Sequence, residues 1–156
     1  MFALAGRFQG YFPGYSKEVE RTKNFLTWLV LKAHTENRAG FVRLQSADPR
    51  DRPAINFKYF DDPAGAERDL DALVQGVEFV RKVSRHNTAI QDEILPGLAT
   101  TGPELRQFIQ DNAWGHHASC SNRIGKPSDP EAVVDSNFRV IGVNNLRVVD
   151  ASVFPR

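Results

Sequence analysis

The spacing of apolar and polar positions predicts two helices in the middle of the chain. From Ala66 to about Arg85, apolar residues recur every three or four positions, which is the period of an amphipathic helix. Acidic residues lie near the start of this segment and basic residues near its end, as the helix dipole favours. The predicted apolar stripe consists of Leu70, Leu73, Val74, Val77, Val80 and Val83.

The second, shorter helix is predicted to begin at Thr101. The sequence Thr101-Gly-Pro-Glu104 matches a capping box, in which the threonine and glutamate side chains cap the first turn. Proline is well tolerated at such a helix start, so Pro103 fits this prediction. The apolar side of this helix is predicted to be Leu105, Phe108 and Ile109.

Short apolar runs rich in β-forming residues predict strands. Phe25–Ala33 and residues 41–44 are two such runs, and the turn residues between them predict an antiparallel hairpin. Another strand is predicted where Ile55, Phe57 and Tyr59 alternate with polar residues. Three further short strands are predicted at residues 133–134, 138–143 and 146–149.

The order of these elements predicts the fold class. Met1–Ser16 is rich in glycine and aromatic residues and has neither period, so we expect an irregular arm lying on an apolar surface. Strands and helices come in blocks, which predicts an α+β fold with helices packed on one face of an antiparallel sheet. A length of 156 residues is usual for one domain, so residues 1–156 are predicted to form one.

Composition and charge exclude several classes of protein. The chain has 20 Lys+Arg and 19 Asp+Glu, a net charge of +1, which argues against nucleic acid or an anionic membrane as a partner. No apolar run approaches the roughly 18 residues of a membrane span, and the N-terminus does not resemble a signal peptide. Cys120 is the only cysteine, so no internal disulfide is possible. We therefore expect a cytoplasmic protein.

The segment of residues 114–125, Trp-Gly-His-His-Ala-Ser-Cys-Ser-Asn-Arg-Ile-Gly, is the one cluster with chemical promise. Its histidines can serve as a general base, as part of a metal site, as the partner of a nucleophile, or simply as partners of backbone groups. No fourth ligand follows at useful spacing, so no metal is expected. Ser119 or Ser121 with His117 would make a hydrolase pair, but no Gly-x-Ser-x-Gly motif is present.

Five segments follow one another along the chain: Gly40–Pro49 with Pro53–Ile55, the helix Asp69–Arg81, Leu105–Asn112, the loop His117–Gly125, and the closing segment Val134–Pro155. Together they resemble the C-terminal, substrate-binding part of the glucose-methanol-choline (GMC) family of flavin-dependent alcohol oxidoreductases. The wording Val-Val-Asp-Ala-Ser-Val-Phe-Pro is most similar to the choline-dehydrogenase-like branch.

The resemblance implies a reaction and a set of site residues. The family removes the hydroxyl proton of an alcohol and transfers the α-hydride to N5 of FAD, so a small-molecule alcohol is the implied substrate. His117 takes the place of the base that accepts the proton, and such a base contributes about 10²–10⁴ in rate. His116 and Trp114 are then pocket or support residues, and Asp150 and Ala151 contact FAD. The alternative for Asp150 is a strand end at which the aspartate is buried and hydrogen-bonded.

Two departures from the family pattern shape the expected behaviour. The sequence has no Gly-x-Gly-x-x-Gly turn for the FAD pyrophosphate, and it stops at Arg156, before the family's second active-site residue. We therefore expect a fragment that is inactive alone, holds FAD weakly, and lacks an FAD-binding half. We also expect an exposed apolar face through which copies can self-associate. The alternatives are a stand-alone interaction module and one chain of a split enzyme.

Overall fold

The structure is a computed structural model that describes residues 1–155, and the chain forms two compact units, residues 1–113 and the residues from 114 onward. The first unit contains β1 (Phe2–Ala5), α1 (Tyr15–Arg21), β2 (Leu26–Leu29), β3 (Phe41–Arg43), β4 (Ala54–Asn56), α2 (Ala66–Ser84) and α3 (Gly102–Asn112). In the second unit, the described residues contain a single regular element, the short 3₁₀ turn Ala151–Val153.

The core of the first unit lies between α2 and α3. Leu70, Leu105 and Ile109 are buried. Partly buried apolar side chains pack around them, four from the same two helices and one, Phe60, from the segment before α2. The two predicted helices are therefore confirmed, and so are their apolar faces except at the end of the α2 stripe, where Val80 is half-buried but does not pack against this core. Val83, at the end of the predicted stripe, is 41% exposed because α2 extends beyond the core there.

The predicted capping box of α3 is wrong. Thr101 does stand at the N-cap position, but its side chain makes no capping hydrogen bond. The next residue, Gly102, has a φ of +50°, which departs from the backbone geometry that a capping box requires. The helix start is instead closed by the backbone, where the Leu105 N–H donates to the Thr101 carbonyl at 3.3 Å.

The strands form two separate two-stranded antiparallel sheets. The first pairs β1 with β2, Phe2 opposite Leu29, and the second pairs β3 with β4, Phe41 opposite Asn56. The α+β class is thus confirmed, but the predicted hairpin between β2 and β3 and the single sheet are wrong. The chain between β2 and β3 cannot form a tight hairpin turn because α2 holds it, as described next.

Asp69 of α2 fixes the connection between β2 and β3. Its side chain accepts hydrogen bonds from the backbone N–H groups of Glu36 and Asn37, all at 2.9 Å, and Lys32 Nζ lies 3.3 Å away. Asp69 is only 3% exposed. Burial by itself would raise the pKa of Asp69, but these hydrogen bonds and the nearby ammonium outweigh it and hold the pKa below its usual value.

Arg81 performs a similar task at the other end of α2. Its guanidinium forms a two-point ion pair with Glu93, with Nε–Oε2 and Nη2–Oε1 distances of 2.9 and 2.8 Å. Nη2 also donates to the carbonyls of Gly97 and Thr100. Because Arg81 is 8% exposed, these bonds anchor the loop between α2 and α3 in a largely dry environment.

The N-terminal segment is more regular than predicted. Met1–Ser16 contains β1 and the first residues of α1, so the expectation of a wholly irregular arm is wrong. The sequence pattern does not predict β1, because Phe-Ala-Leu-Ala alternates large with small apolar residues and lacks the apolar–polar alternation of a half-buried strand. The rings of Phe8 and Tyr11, between the two elements, and of Tyr15, at the start of α1, pack edge to face with centroids 4.9–5.9 Å apart.

The second unit is held by isolated bridges and turns. The strands predicted from residue 133 onward reduce to single bridges, in which Val134 pairs with both Ile124 and Val140 and Arg139 pairs with Arg147. Val134 is completely buried. Asp135 ends the pairing because its side chain accepts from the N–H groups of Asn137 and Arg139 and folds the chain into a turn.

No helix among the described residues is long and apolar enough to cross a membrane.

Candidate active site

His117 lies in an exposed stretch without regular structure at the start of the second unit. The indole of Trp114 stacks on the imidazole of His116, with centroids 5.2 Å apart and planes within 16° of parallel. The ring of His116 in turn lies 4.2 Å from that of His117, tilted by 58°. The three predicted residues of this loop are therefore in contact as a row of rings, with His117 at one end.

The ring nitrogens of His117 are available to a ligand. Within residues 1–155, no side chain or backbone group forms a hydrogen bond with either nitrogen. His86 differs, because its Nδ1 lies 2.8 Å from the Lys82 carbonyl at the end of α2. A histidine that is exposed and not engaged by the protein can exchange a proton with a bound molecule, whereas His86 caps a helix end.

Three residues after His117, the chain bends at Cys120, whose φ is +67°. A left-handed conformation is uncommon for a residue other than glycine and indicates that the surrounding structure imposes it. The bend directs residues 120–124 along the 3₁₀ turn Ala151–Val153. Three backbone N–H groups then donate to three consecutive carbonyls: Cys120 to Ala151 at 3.2 Å, Asn122 to Ser152 at 2.9 Å and Ile124 to Val153 at 2.9 Å.

Asp150 and Ala151 lie at the start of that 3₁₀ turn, and both are exposed. The Asp150 Oδ1 accepts from the Ser152 N–H at 2.8 Å. Hydrogen bonds from the Ser152 side chain and backbone hold the pKa of Asp150 below its usual value, so this carboxyl is ionised at neutral pH. Among the described residues, the N–H of Ala151 has no acceptor.

The structure therefore brings together the two segments that sequence reasoning singled out. The loop with His117 and the turn with Asp150 and Ala151 are neighbours in one unit, joined by the three backbone hydrogen bonds. Sequence reasoning missed Asn122 and Ser152, which join the same segments through their side chains, with Asn122 Nδ2 donating to Ser152 Oγ at 3.0 Å. No periodicity in the sequence signals this pair, because the two residues lie 30 positions apart.

Other arrangements that the sequence left open receive no support from the geometry. The described residues contain no hydrogen bond between Ser119 or Ser121 and His117, and Ser119 Oγ instead lies 3.4 Å from Cys120 Sγ. No group of three or more potential metal ligands occurs within residues 1–155. Two clefts of about 320 and 300 Å³ are lined only by residues of the first unit and contain none of the predicted site residues.

Comparisons with known proteins place the chain in a family. The family description "GMC oxidoreductase" matches residues 36–156. The glucose methanol choline oxidoreductase atC of Aspergillus terreus is 34% identical over 92% of this chain, and the oxygen-dependent choline dehydrogenase of Vibrio vulnificus is 37% identical over 74% of it. In the crystal structure of pyridoxine 4-oxidase from Mesorbium loti, 74% of the chain superposes with a TM-score of 0.59 and 33% identity. The chain belongs to the GMC oxidoreductase family.

The match covers only part of each relative. This chain spans 23% of the Aspergillus protein, 21% of the Vibrio protein and 22% of the pyridoxine 4-oxidase chain.

Proposed function

We propose that this chain forms the substrate side of an FAD-dependent alcohol oxidoreductase, in which His117 accepts the proton of the substrate hydroxyl. The observation that carries the proposal is the exposed His117 ring, whose two nitrogens bond to none of residues 1–155, in the loop that is joined to the turn carrying Asp150. The two relatives named as choline dehydrogenase and pyridoxine oxidase support an alcohol as the substrate class.

This chain offers contacts for FAD only at the turn that contains Asp150 and Ala151. Asp150 offers an ionised, exposed carboxylate that can accept a hydrogen bond, and the Ala151 N–H offers a donor that no described residue uses. The sequence contains no Gly-x-Gly-x-x-Gly turn to hold the pyrophosphate. FAD, when bound, would supply the acceptor for the hydride. Most of its binding site would be formed by residues outside this chain.

The chain's own residues would bind the alcohol, orient it and remove its hydroxyl proton. An alcohol becomes a good hydride donor only as its hydroxyl proton leaves, so the base must lie within hydrogen-bond reach of that oxygen. His117 would take this proton on a ring nitrogen as the O–H bond breaks. His116 and Trp114 would restrict the orientation of the His117 ring through the observed ring contacts.

The exposed apolar surface of the second unit supports the proposal that another part of the enzyme covers it. Val149 is 72% exposed, Phe154 56% and Val143 50%, which is a large apolar exposure for a unit of this size. We propose that an FAD-binding part, on the same polypeptide or on a partner chain, covers this surface. Without that part, the same surface would promote self-association.

The test is the rate at which an alcohol reduces the flavin under anaerobic conditions. The sample is this chain assembled with an FAD-binding part. His117→Ala should lower this rate about 10²–10⁴-fold, since that is the usual contribution of a general base. His116→Ala is the matched control, because it removes a neighbouring imidazole with a much smaller expected loss. Equal rates for His117→Ala and the unmodified protein would refute the role of His117.

A further inference from the structure

We propose that the cleft between the β1–β2 sheet and α1 is a binding site for an uncharged molecule with a single aromatic ring. Its volume of about 300 Å³ is at the small end of the range for ligand sites in proteins. The cleft lies wholly in the first unit, so its occupation would require neither FAD nor His117.

One wall of the cleft is a face of the β1–β2 sheet. Phe2 lies directly opposite Leu29 across the two strands, and both residues line the cleft. Leu4 lies two positions after Phe2 in β1, so its side chain is on the same face of the sheet. This wall is therefore entirely apolar.

Three aromatic rings from α1 and the segment before it also line the cleft. Phe8, Tyr11 and Tyr15 pack edge to face, with centroids 4.9–5.9 Å apart. Aromatic pairs in this geometry gain free energy beyond the burial of their surface. A ligand ring can extend the arrangement in the same geometry, whereas an aliphatic ligand gains apolar burial alone. The rings therefore favour an aromatic ligand.

Hydrogen bonds fix the segment that carries these rings to the sheet. Thr27 Oγ1 of β2 accepts from the Phe8 N–H at 3.0 Å and donates to the Gly6 carbonyl at 2.7 Å. The Arg7 N–H donates to Thr22 Oγ1 at 2.8 Å. The cleft is therefore formed before a ligand enters, and a preformed site loses less free energy to ordering on binding.

The polarity of the lining defines the charge of the ligand. Among the described residues that line the cleft, none has a charged side chain, and the polar side-chain groups are the hydroxyls of Tyr11, Tyr15 and Ser16. A charged group that enters such surroundings loses hydration without gaining an opposite charge. A single hydroxyl group on the ligand, in contrast, can exchange a hydrogen bond with another hydroxyl. Phenol has the matching chemistry.

The first experiment is a titration of the ¹⁵N-labelled chain with phenol, followed by amide NMR. We expect saturable shifts at the N–H groups of Phe8 and Tyr15, with a Kd of about 1 mM for so small a ligand. Cyclohexanol, which has a similar size but no aromatic ring, should bind about 5-fold more weakly. Benzoate, which carries a charge, should give no saturable shift.

Each probe can overturn one part of the proposal. Absence of saturable shifts with phenol would refute the site. Equal affinity for cyclohexanol would refute the preference for an aromatic ring, and equal affinity for benzoate would refute the preference for an uncharged ligand. None of these results depends on flavin reduction, so the site and the role of His117 stand or fall separately.

The second experiment blocks the cleft. Ser16 is exposed and lines the cleft, so Ser16→Trp should fill part of it and weaken phenol binding about 10-fold. Lys17→Trp is the matched control, because Lys17 is the next exposed residue of α1 and does not line the cleft. Tyr11→Ala, at a position that is 58% exposed, removes one ring without removing a buried side chain and should also weaken binding. Equal phenol affinity in Lys17→Trp, Ser16→Trp and Tyr11→Ala would refute the site.

A second copy of the chain is the competing occupant of this cleft. Dilution of the chain without phenol should leave the amide signals of Phe8 and Tyr15 unchanged. If these signals move on dilution and phenol merely reproduces that movement, copies of the chain cover the cleft and the proposal is wrong.

Discussion

The two units of this chain reach a fixed structure by different means. The first packs two amphipathic helices around Leu70, Leu105 and Ile109, and adds two buried charged anchors, Asp69 and Arg81. In the second, the described residues contain no helix longer than a 3₁₀ turn, and single bridges and aspartate-centred turns hold the chain. The proposed catalytic segments therefore lie in the unit whose chain is joined mainly by hydrogen bonds, with Val134 and Val153 as its buried apolar residues among those described.

This difference has a functional advantage. A loop held by bridges and turns can present the exposed ring of His117 on its surface, where a ligand can reach it. The cost is that each loop position depends on a few identifiable hydrogen bonds. Substitutions in the first unit should therefore lower the stability of the fold. Substitutions in the second unit should mainly change the geometry of the site.

The largest effect should come from the apolar core of the first unit. Leu105 is 2% exposed, so Leu105→Ala should lower the free energy of unfolding by about 2–5 kcal/mol, because it leaves a cavity. Chemical denaturation followed by circular dichroism would measure the loss. Leu44→Ala, at a position that is 86% exposed, is the control and should change little. Equal losses for both would contradict the assigned core.

A somewhat smaller effect is expected at the Asp69 anchor. Asp69→Asn removes the charge opposite Lys32 and places an amide group against backbone donors, which should cost about 2 kcal/mol. Because the pKa of Asp69 is lowered by folding, its stabilisation is present above the ordinary value near 4 and lost as pH falls through the lowered one. Denaturation midpoints between pH 7 and 3 should fall less steeply in Asp69→Asn than in the unmodified chain.

In the second unit, loss of the Asp135 carboxylate charge should open the turn at this residue without unfolding the rest of the chain. Hydrogen bonds from the N–H groups of Arg139 and Asn137 lower the pKa of Asp135, so the turn should lose its support as pH falls below about 4. Asp135→Ala should produce the same change at neutral pH, seen as faster amide hydrogen exchange at Arg139. Exchange in α2 should stay the same, and its acceleration would argue against the separate character of the two units.

The smallest effect is expected at the start of α3. Thr101→Ala usually costs about 0.5–2 kcal/mol at an N-cap. Here the side chain makes no capping hydrogen bond, so we expect a loss below about 0.5 kcal/mol. A loss of about 1 kcal/mol or more in thermal denaturation would show that the capping box forms after all.

The comparison also explains which features the sequence could predict. Helical periodicity identified α2 and α3 because their apolar stripes face one core, and the distinctive loop around His117 identified the family. The partners of β2 and β3 were not predictable, because β2 pairs with β1, which has no apolar–polar alternation, and β3 pairs with β4 and not with β2. The Asn122–Ser152 bond was missed because periodicity carries no information about side-chain pairs 30 residues apart.

We propose that this chain supplies the proton-accepting side of an active site whose flavin is held mostly by residues outside it. The most direct test is a titration of the purified chain with FAD, followed by flavin fluorescence and visible absorption. We expect no saturable quenching and no shift of the flavin spectrum at micromolar chain. Stoichiometric, tight binding of FAD would contradict the claim, because it would place a complete cofactor site within these residues.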